Sequence, residues 1–220
     1  MKALLLGSIG TLADTSEIQR EAFNAAFRKH GLDWHWPRDE YRARLHKAGG
    51  KARIAAEAEA RGQSVDVAGL HATKSELFQH ALASDGAQAR PGLRETITLA
   101  RARGVAVGLV TTTSRANVDA ILSALSMDRS VFDVIVTEEE VASVKPAPDA
   151  YHHAAATLAV PPEECVVVED NPDGVRAAIS AGMTCIAWPG ENNVGQDFGG
   201  ADLAGEDISA SVVADRIAAE

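Results

Sequence analysis

Five short apolar runs separated by helical patterns constrain this chain more than any other feature. They are residues 3–6, Val105–Val110, Val134–Val136, Cys165–Val168 and Thr184–Ala187. Each is continuously apolar rather than alternating, which is the signature of a strand covered on both faces of a parallel sheet. Between them lie helical patterns at Gly92–Arg103, Arg115–Leu125, Asp149–Leu158 and Asp173–Ala181. Gly104 and Gly182 sit just past helix ends, and Pro172 occupies a first turn. Strand and helix repeated in this way predict an α/β fold, an open parallel sheet with helices on both faces.

Residues 16–86 interrupt the alternation. Ile18, Ala22, Phe23, Ala26 and Phe27 form an amphipathic stripe that Gly31 stops, and further helices are expected at Arg38–His46, Lys51–Arg61 and Val67–Ala83. The simplest account is an all-helical insert after the first strand. It gives a core of residues 1–15 and 87–220 and an inserted segment of 16–86. Residues 189–205, rich in Gly, Asn and Asp, read as loop, with a last short helix near 209–218.

The 220 residues carry 21 Lys plus Arg against 31 Asp plus Glu, a net charge of −10. Such a surface repels a phosphate backbone, so nucleic acid is not an expected partner, although one pocket can still be positive. Cys165 and Cys185 lie in apolar runs and read as reduced, buried thiols. The run Ala3–Leu6 ends too early for a signal peptide, and no segment approaches the roughly 18 apolar residues that span a bilayer. A soluble, cytoplasmic protein with no membrane partner is expected.

In open parallel sheets, ligands bind outside the carboxyl ends of the strands. Thr111, Thr112, Thr113 and Ser114 follow the second strand, Lys145 to Asp149 follow the third, and Glu169 to Gly174 follow the fourth. A hydroxyl, a lysine and paired carboxylates at three strand ends suit a phosphate and a divalent cation. Thr111 would donate to a phosphoryl oxygen, Lys145 would supply point charge, and Glu169 and Asp170 would hold Mg²⁺. Singly, each has a plainer reading as a cap, a solvated lysine or a helix-start acid. The joint arrangement is what points to a site.

These residues also carry a family resemblance. Thr111, the run Lys145-Pro146-Ala147-Pro148-Asp149, and Glu169-Asp170 with Gly174, Ala177-Ala178 and Ala181-Gly182-Met183 resemble the second, third and fourth motifs of the haloacid dehalogenase superfamily. The insert Gly31 to Trp36, Tyr41 and Gly49 to Ile54 resemble the helical cap of CbbY and β-phosphoglucomutase-like members. The resemblance implies a Rossmann-like core with a helical cap, Mg²⁺-dependent phosphoryl chemistry and a small phosphorylated metabolite as partner, for the CbbY branch a sugar bisphosphate. It also implies that Gly50, Lys51 and Arg53 meet the far end of the substrate, with the arginine as anion clamp.

The first motif departs from that pattern. The family reads Asp-x-Asp-Gly-Thr-Leu, its first aspartate the nucleophile and its second the acid and base; here the stretch is Gly7-Ser8-Ile9-Gly10-Thr11-Leu12. Gly7 and Ile9 therefore stand at the catalytic positions with no carboxylate. Strand alternation would turn Ser8 away from the side faced by positions 7 and 9. Asp14 lies past the turn, and Gln19 stands where the family's cap often has a histidine. Three functions remain in view: a catalytically impaired anion binder, a hydrolase with a relocated nucleophile or metal hydroxide, and an interaction protein on an inherited fold.

Overall fold

A computed structural model describes residues 1–45, 49–204, 206–208 and 212–218. Strand β1 (Ala3–Leu6) runs directly into the short helix α1 (Ile9–Leu12). Four helices follow: α2 (Ser16–Lys29), α3 (Arg38–Arg44), α4 (Gly50–Arg61) and α5 (Val67–Asp85). Then come α6 (Leu93–Ala102), β2 (Ala106–Val110), α7 (Arg115–Ala124), β3 (Val134–Val136) and α8 (Asp149–Leu158). The chain ends with β4 (Cys165–Glu169), α9 (Pro172–Ser180), β5 (Thr184–Ala187), β6 (Asp202–Leu203) and α10 (Val212–Ala218). His46 and residues 209–211, placed in helices by the sequence pattern, lie outside the described residues.

The sheet has six strands in the order β3-β2-β1-β4-β5-β6, every pairing parallel. Leu6 is in register with Leu109 on one side and Val168 on the other. Successive residues of one strand point to opposite faces. Leu4 and Leu6 thus join Val107, Leu109, Val166 and Val168 in a core with α6 and α7. Ala3 and Leu5 join Cys165, Val167 and Cys185 beneath α8 and α9. This two-sided cover is why the runs read as continuously apolar. Strand β6, two exposed residues inside the Gly-rich tail, carries no apolar run and was expected as loop.

Helices α2 to α5 carry an aromatic cluster of their own. Phe23, Phe27, Trp34, Trp36 and Tyr41 are almost fully buried, with Trp36 4.8 Å from Phe27 and 4.9 Å from Phe23 between ring centroids. Large aromatic rings bury much area for little conformational entropy, so a short helical segment can sustain its own core. Chain order changes direction at β1, with β2 on one side and β4 on the other. That topological switch point is where a doubly wound sheet opens a crevice.

Candidate active site

A cleft of about 340 Å³ opens there, between the strand ends and helices α2, α4 and α5. Ser8, Ile9 and Gly10 line it from the first turn, Thr111 to Ser114 from the end of β2, and Asp170 and Asn171 from the end of β4. Gly50, Lys51, Arg53, Gln19, His71 and Lys74 line it from the helices. The structure thus brings together Ile9, Thr111, Thr112, Gly50, Lys51, Arg53 and Asp170, all singled out in the sequence.

Lys145 and Glu169 do not join them. Both are buried below the floor of the cleft, 4% and 0% exposed. Lys145 Nζ donates to Glu169 Oε1 at 2.6 Å, to the Val110 carbonyl at 2.7 Å, to Tyr151 Oη at 3.1 Å and to the Gly7 carbonyl. Tyr151 Oη donates to the same Glu169 oxygen at 2.7 Å. Lys145, expected to supply point charge to a phosphate, is surrounded by four acceptors in this arrangement. Burial, then the Asp170 charge, push the Glu169 carboxyl up, while Lys145 opposes them.

Position 7 explains where Glu169 went. A Cβ placed on Gly7 would collide with Cγ, Cδ and Oε1 of Glu169, and one on Gly174 would collide with the same carboxyl group. Glycines on both sides leave a slot, and the Glu169 side chain fills it. A carboxylate therefore lies close to where a residue 7 side chain would begin, but held inward by Lys145 and Tyr151.

Ser8 also differs from expectation. Strand alternation stops at Leu6, because Ser8 is the N-cap of α1 and accepts from the Thr11 amide at 3.2 Å. Its hydroxyl lines the cleft and donates to Asp170 Oδ1 at 2.6 Å. Asp170 also accepts from Asn171 Nδ2 at 3.0 Å. A Cβ on Gly10 would strike Asp170 Oδ2, so this glycine is required by the close approach of the carboxylate.

Of the two acids ending β4, only Asp170 faces the cleft. No group of three or more His, Cys, Asp or Glu that would hold a metal ion occurs among the described residues. In this arrangement Glu169 is engaged by Lys145 and Tyr151, and Asp170 is the member of the pair that faces the cleft.

The sequence reading passed over Lys74, His71 and Arg90. Lys74 is 4% exposed and donates to Gln19 Oε1 at 3.0 Å, and Gln19 Nε2 in turn meets Thr15 Oγ1 at 3.3 Å. Its spacing from Leu70, Phe78 and Leu82, all buried in α5, was the available signal, since residues four apart share a helix face. Arg90 packs 3.6 Å over the Trp188 ring and donates to the Trp188 and Pro189 carbonyls at 2.6 and 2.9 Å. It fastens the end of β5 beside the first turn.

His71 Nε2 packs so close to Gly50 that a Cβ there would lie 2.6 Å away, the structural reason for glycine at that position. Burial, then the charges of Lys74, Lys51 and Arg53, hold the His71 imidazole down at about 4 from 6.5. A folded-state value below the unfolded one means the unfolded chain binds the proton first. Stability is expected to fall as pH drops from about 6.5 towards about 4. Urea unfolding across that window should show a shallower fall in His71→Gln than in the parent chain.

The loop that follows β5 reaches Asp14, α2 and α3 beside the cleft. The Glu191 amide donates to Asp14 Oδ2 at 2.5 Å, and Asn192 Nδ2 donates to Ser16 Oγ at 3.0 Å and Glu17 Oε1 at 2.6 Å. Arg38 pairs with Glu191 and meets Asn192 Oδ1 at 3.3 Å. Lys51 of α4 lies 4.0 Å from Glu138, which follows β3.

Comparison with known proteins fits this geometry. Residues 1–182 match the family model of haloacid dehalogenase-like hydrolases. The chain belongs to that family. The protein CbbY of Rhodobacter capsulatus is 39% identical over 216 residues, covering 96% of this chain and 95% of its own. Protein CbbY of Cereibacter sphaeroides is 40% identical over 230 residues, covering 96% of this chain and 99% of its own. Crystal structures of CbbY from Rhodobacter sphaeroides, one with phosphate and one of a mutant with xylulose-(1,5)bisphosphate, superpose with TM-scores of 0.88. Each has 39% identity and 96% coverage of both chains. The membership, the CbbY-like character and the Rossmann-like parallel sheet expected from the motifs hold. Among the described residues, no helix is long and apolar enough to cross a membrane.

Proposed function

We propose that the cleft binds a phosphorylated sugar or a similar small anion and that this chain does not hydrolyse it by the route usual in its family. Residues 16–86 act as a cap over a core of 1–15 and 87–220, with the substrate held between. Lys51 and Arg53 supply charge from the cap, and Thr111 and Thr112 supply donors from the core. The observation that carries the reading is position 7. Its side-chain space is filled by Glu169, and that carboxylate is engaged by Lys145 and Tyr151. No acid at position 9 can protonate a leaving group, because Ile9 is an alkyl side chain packed in the core.

The test pairs two measurements. Xylulose 1,5-bisphosphate, the sugar bound by the related CbbY, should raise the melting temperature, while phosphate release with magnesium present stays at background. Turnover like that of an ordinary phosphatase would reject the reading. Arg53→Ala should weaken the sugar by about 10- to 100-fold, the usual loss for one charged hydrogen bond to an anion. An unchanged affinity in calorimetry would remove Arg53 from the site.

One contact favours a second reading, that of a hydrolase with a relocated nucleophile. Ser8 Oγ and Asp170 Oδ1, 2.6 Å apart, face the cleft as a hydroxyl beside a base. In that case Ser8→Ala and Asp170→Asn would each abolish any turnover found. Retention of the rate in either variant would dismiss it.

A further inference from the structure

We propose that Lys74 is a covalent capture site for the carbonyl group of an open-chain phosphorylated aldose or ketose, which it holds as a reversible imine inside the cleft. The proposal rests on the reading of the cleft as a phosphorylated-sugar site. Lys74 Nζ lies 4.8 Å from the Phe23 ring centroid and 5.0 Å from that of Phe78, at a wall of the cleft. Among the described residues no carboxylate pairs with it, and its one hydrogen bond goes to the neutral amide of Gln19. A buried lysine without a counter-ion is costly as an ammonium and reactive as an amine.

The charged and titratable neighbours point the same way. Arg53 and His71 line the same part of the cleft, and His71 feels Lys74, Lys51 and Arg53 as like charges. Burial, with the Arg53 charge second, holds the Lys74 amine down at about 7 from 10.5. A lysine in water is almost entirely protonated at neutral pH, whereas burial and the Arg53 charge favour the free, nucleophilic amine here. Lys51 and Arg53 line the same cleft and would meet the phosphate of the same molecule.

The unprotonated Nζ adds to the carbonyl carbon, and one of its hydrogens passes to the carbonyl oxygen to give a carbinolamine. The carbon–oxygen bond then breaks as the nitrogen lone pair forms the C=N bond. The departing hydroxyl takes a proton from solvent and leaves as water. Amine, carbonyl and proton become iminium and water, with no oxidant or further reactant.

The test uses the full chain and erythrose 4-phosphate, whose phosphorylated hydroxyl cannot close a ring on the aldehyde. Borohydride reduction followed by peptide mapping should find one secondary amine per chain, on Lys74. Trapping should be about tenfold faster near pH 8 than near pH 6, following the free amine. Lys74→Arg, which keeps the charge but not the nucleophile, should abolish the adduct. Erythritol 4-phosphate, which has no carbonyl, should still raise the melting temperature of both chains. If it does so while the erythrose adduct is absent or spread over exposed Lys29 and Lys51, the capture site is refuted and the anion site stands. If neither sugar stabilises the protein, the reading of the cleft fails and the capture site fails with it.

Discussion

Gly7→Asp combined with Ile9→Asp is expected to raise sugar-phosphate hydrolysis about 10³- to 10⁴-fold above the parent background when assayed with magnesium. A nucleophile and base that act together contribute on the order of 10⁶ in rate, so partial recovery is the reasonable expectation. Recovery falls short because the slot is taken. The new Cβ at position 7 collides with Glu169, which has to rotate out before the introduced carboxylate can approach Lys145. Once released, Glu169 would stand near Asp170 and the two new acids, forming the carboxylate cluster that the parent chain lacks among its described residues. Ile9 is 5% exposed in the core, so the variant will lose stability, and its folding has to be verified by unfolding. A folded double variant that releases no phosphate would show that the cleft does not align a phosphoryl group with position 7.

Lys145→Met is expected to destabilise the fold by about 3–5 kcal/mol, the usual cost of leaving a buried charge without its partner. Glu169 is 0% exposed, and among the described residues Lys145 is its one cationic hydrogen-bond partner, with Tyr151 as a neutral one. Losing Lys145 also leaves the Gly7 and Val110 carbonyls short of a donor. Adding Glu169→Gln to Lys145→Met should recover much of the loss, since a neutral amide no longer needs a counter-ion. Urea midpoints of the two variants decide the matter. If the single variant matched the parent, the ion pair would not be part of what holds β1, β2 and β4 together.

The sheet was legible because each of its main strands is a continuous apolar run, and the helices because capping and glycine signals bound them. The start of α1 was not, because Ser8 reads equally well as the next residue of an alternating strand. Only the cap bond to the Thr11 amide settles that the chain has already turned. The strand-end motifs located the right end of the sheet, yet motif order cannot tell which side of the floor a long side chain takes. Glu169 and Asp170 are neighbours that go opposite ways, one into the slot left by Gly7 and Gly174, the other to Ser8. That divergence depends on Gly7, far away in sequence from both acids. Lys74 hid for a different reason: one cation in an apolar stripe looks like an imperfect helix until Gln19, Phe23 and Phe78 are placed around it.

The loop after β5 ties Asp14, Ser16, Glu17 and Arg38 to the core sheet through Glu191 and Asn192. Any movement of α2 and α3 away from the strand ends has to break these contacts together, so the loop sets a barrier to such movement that no ligand contact enters.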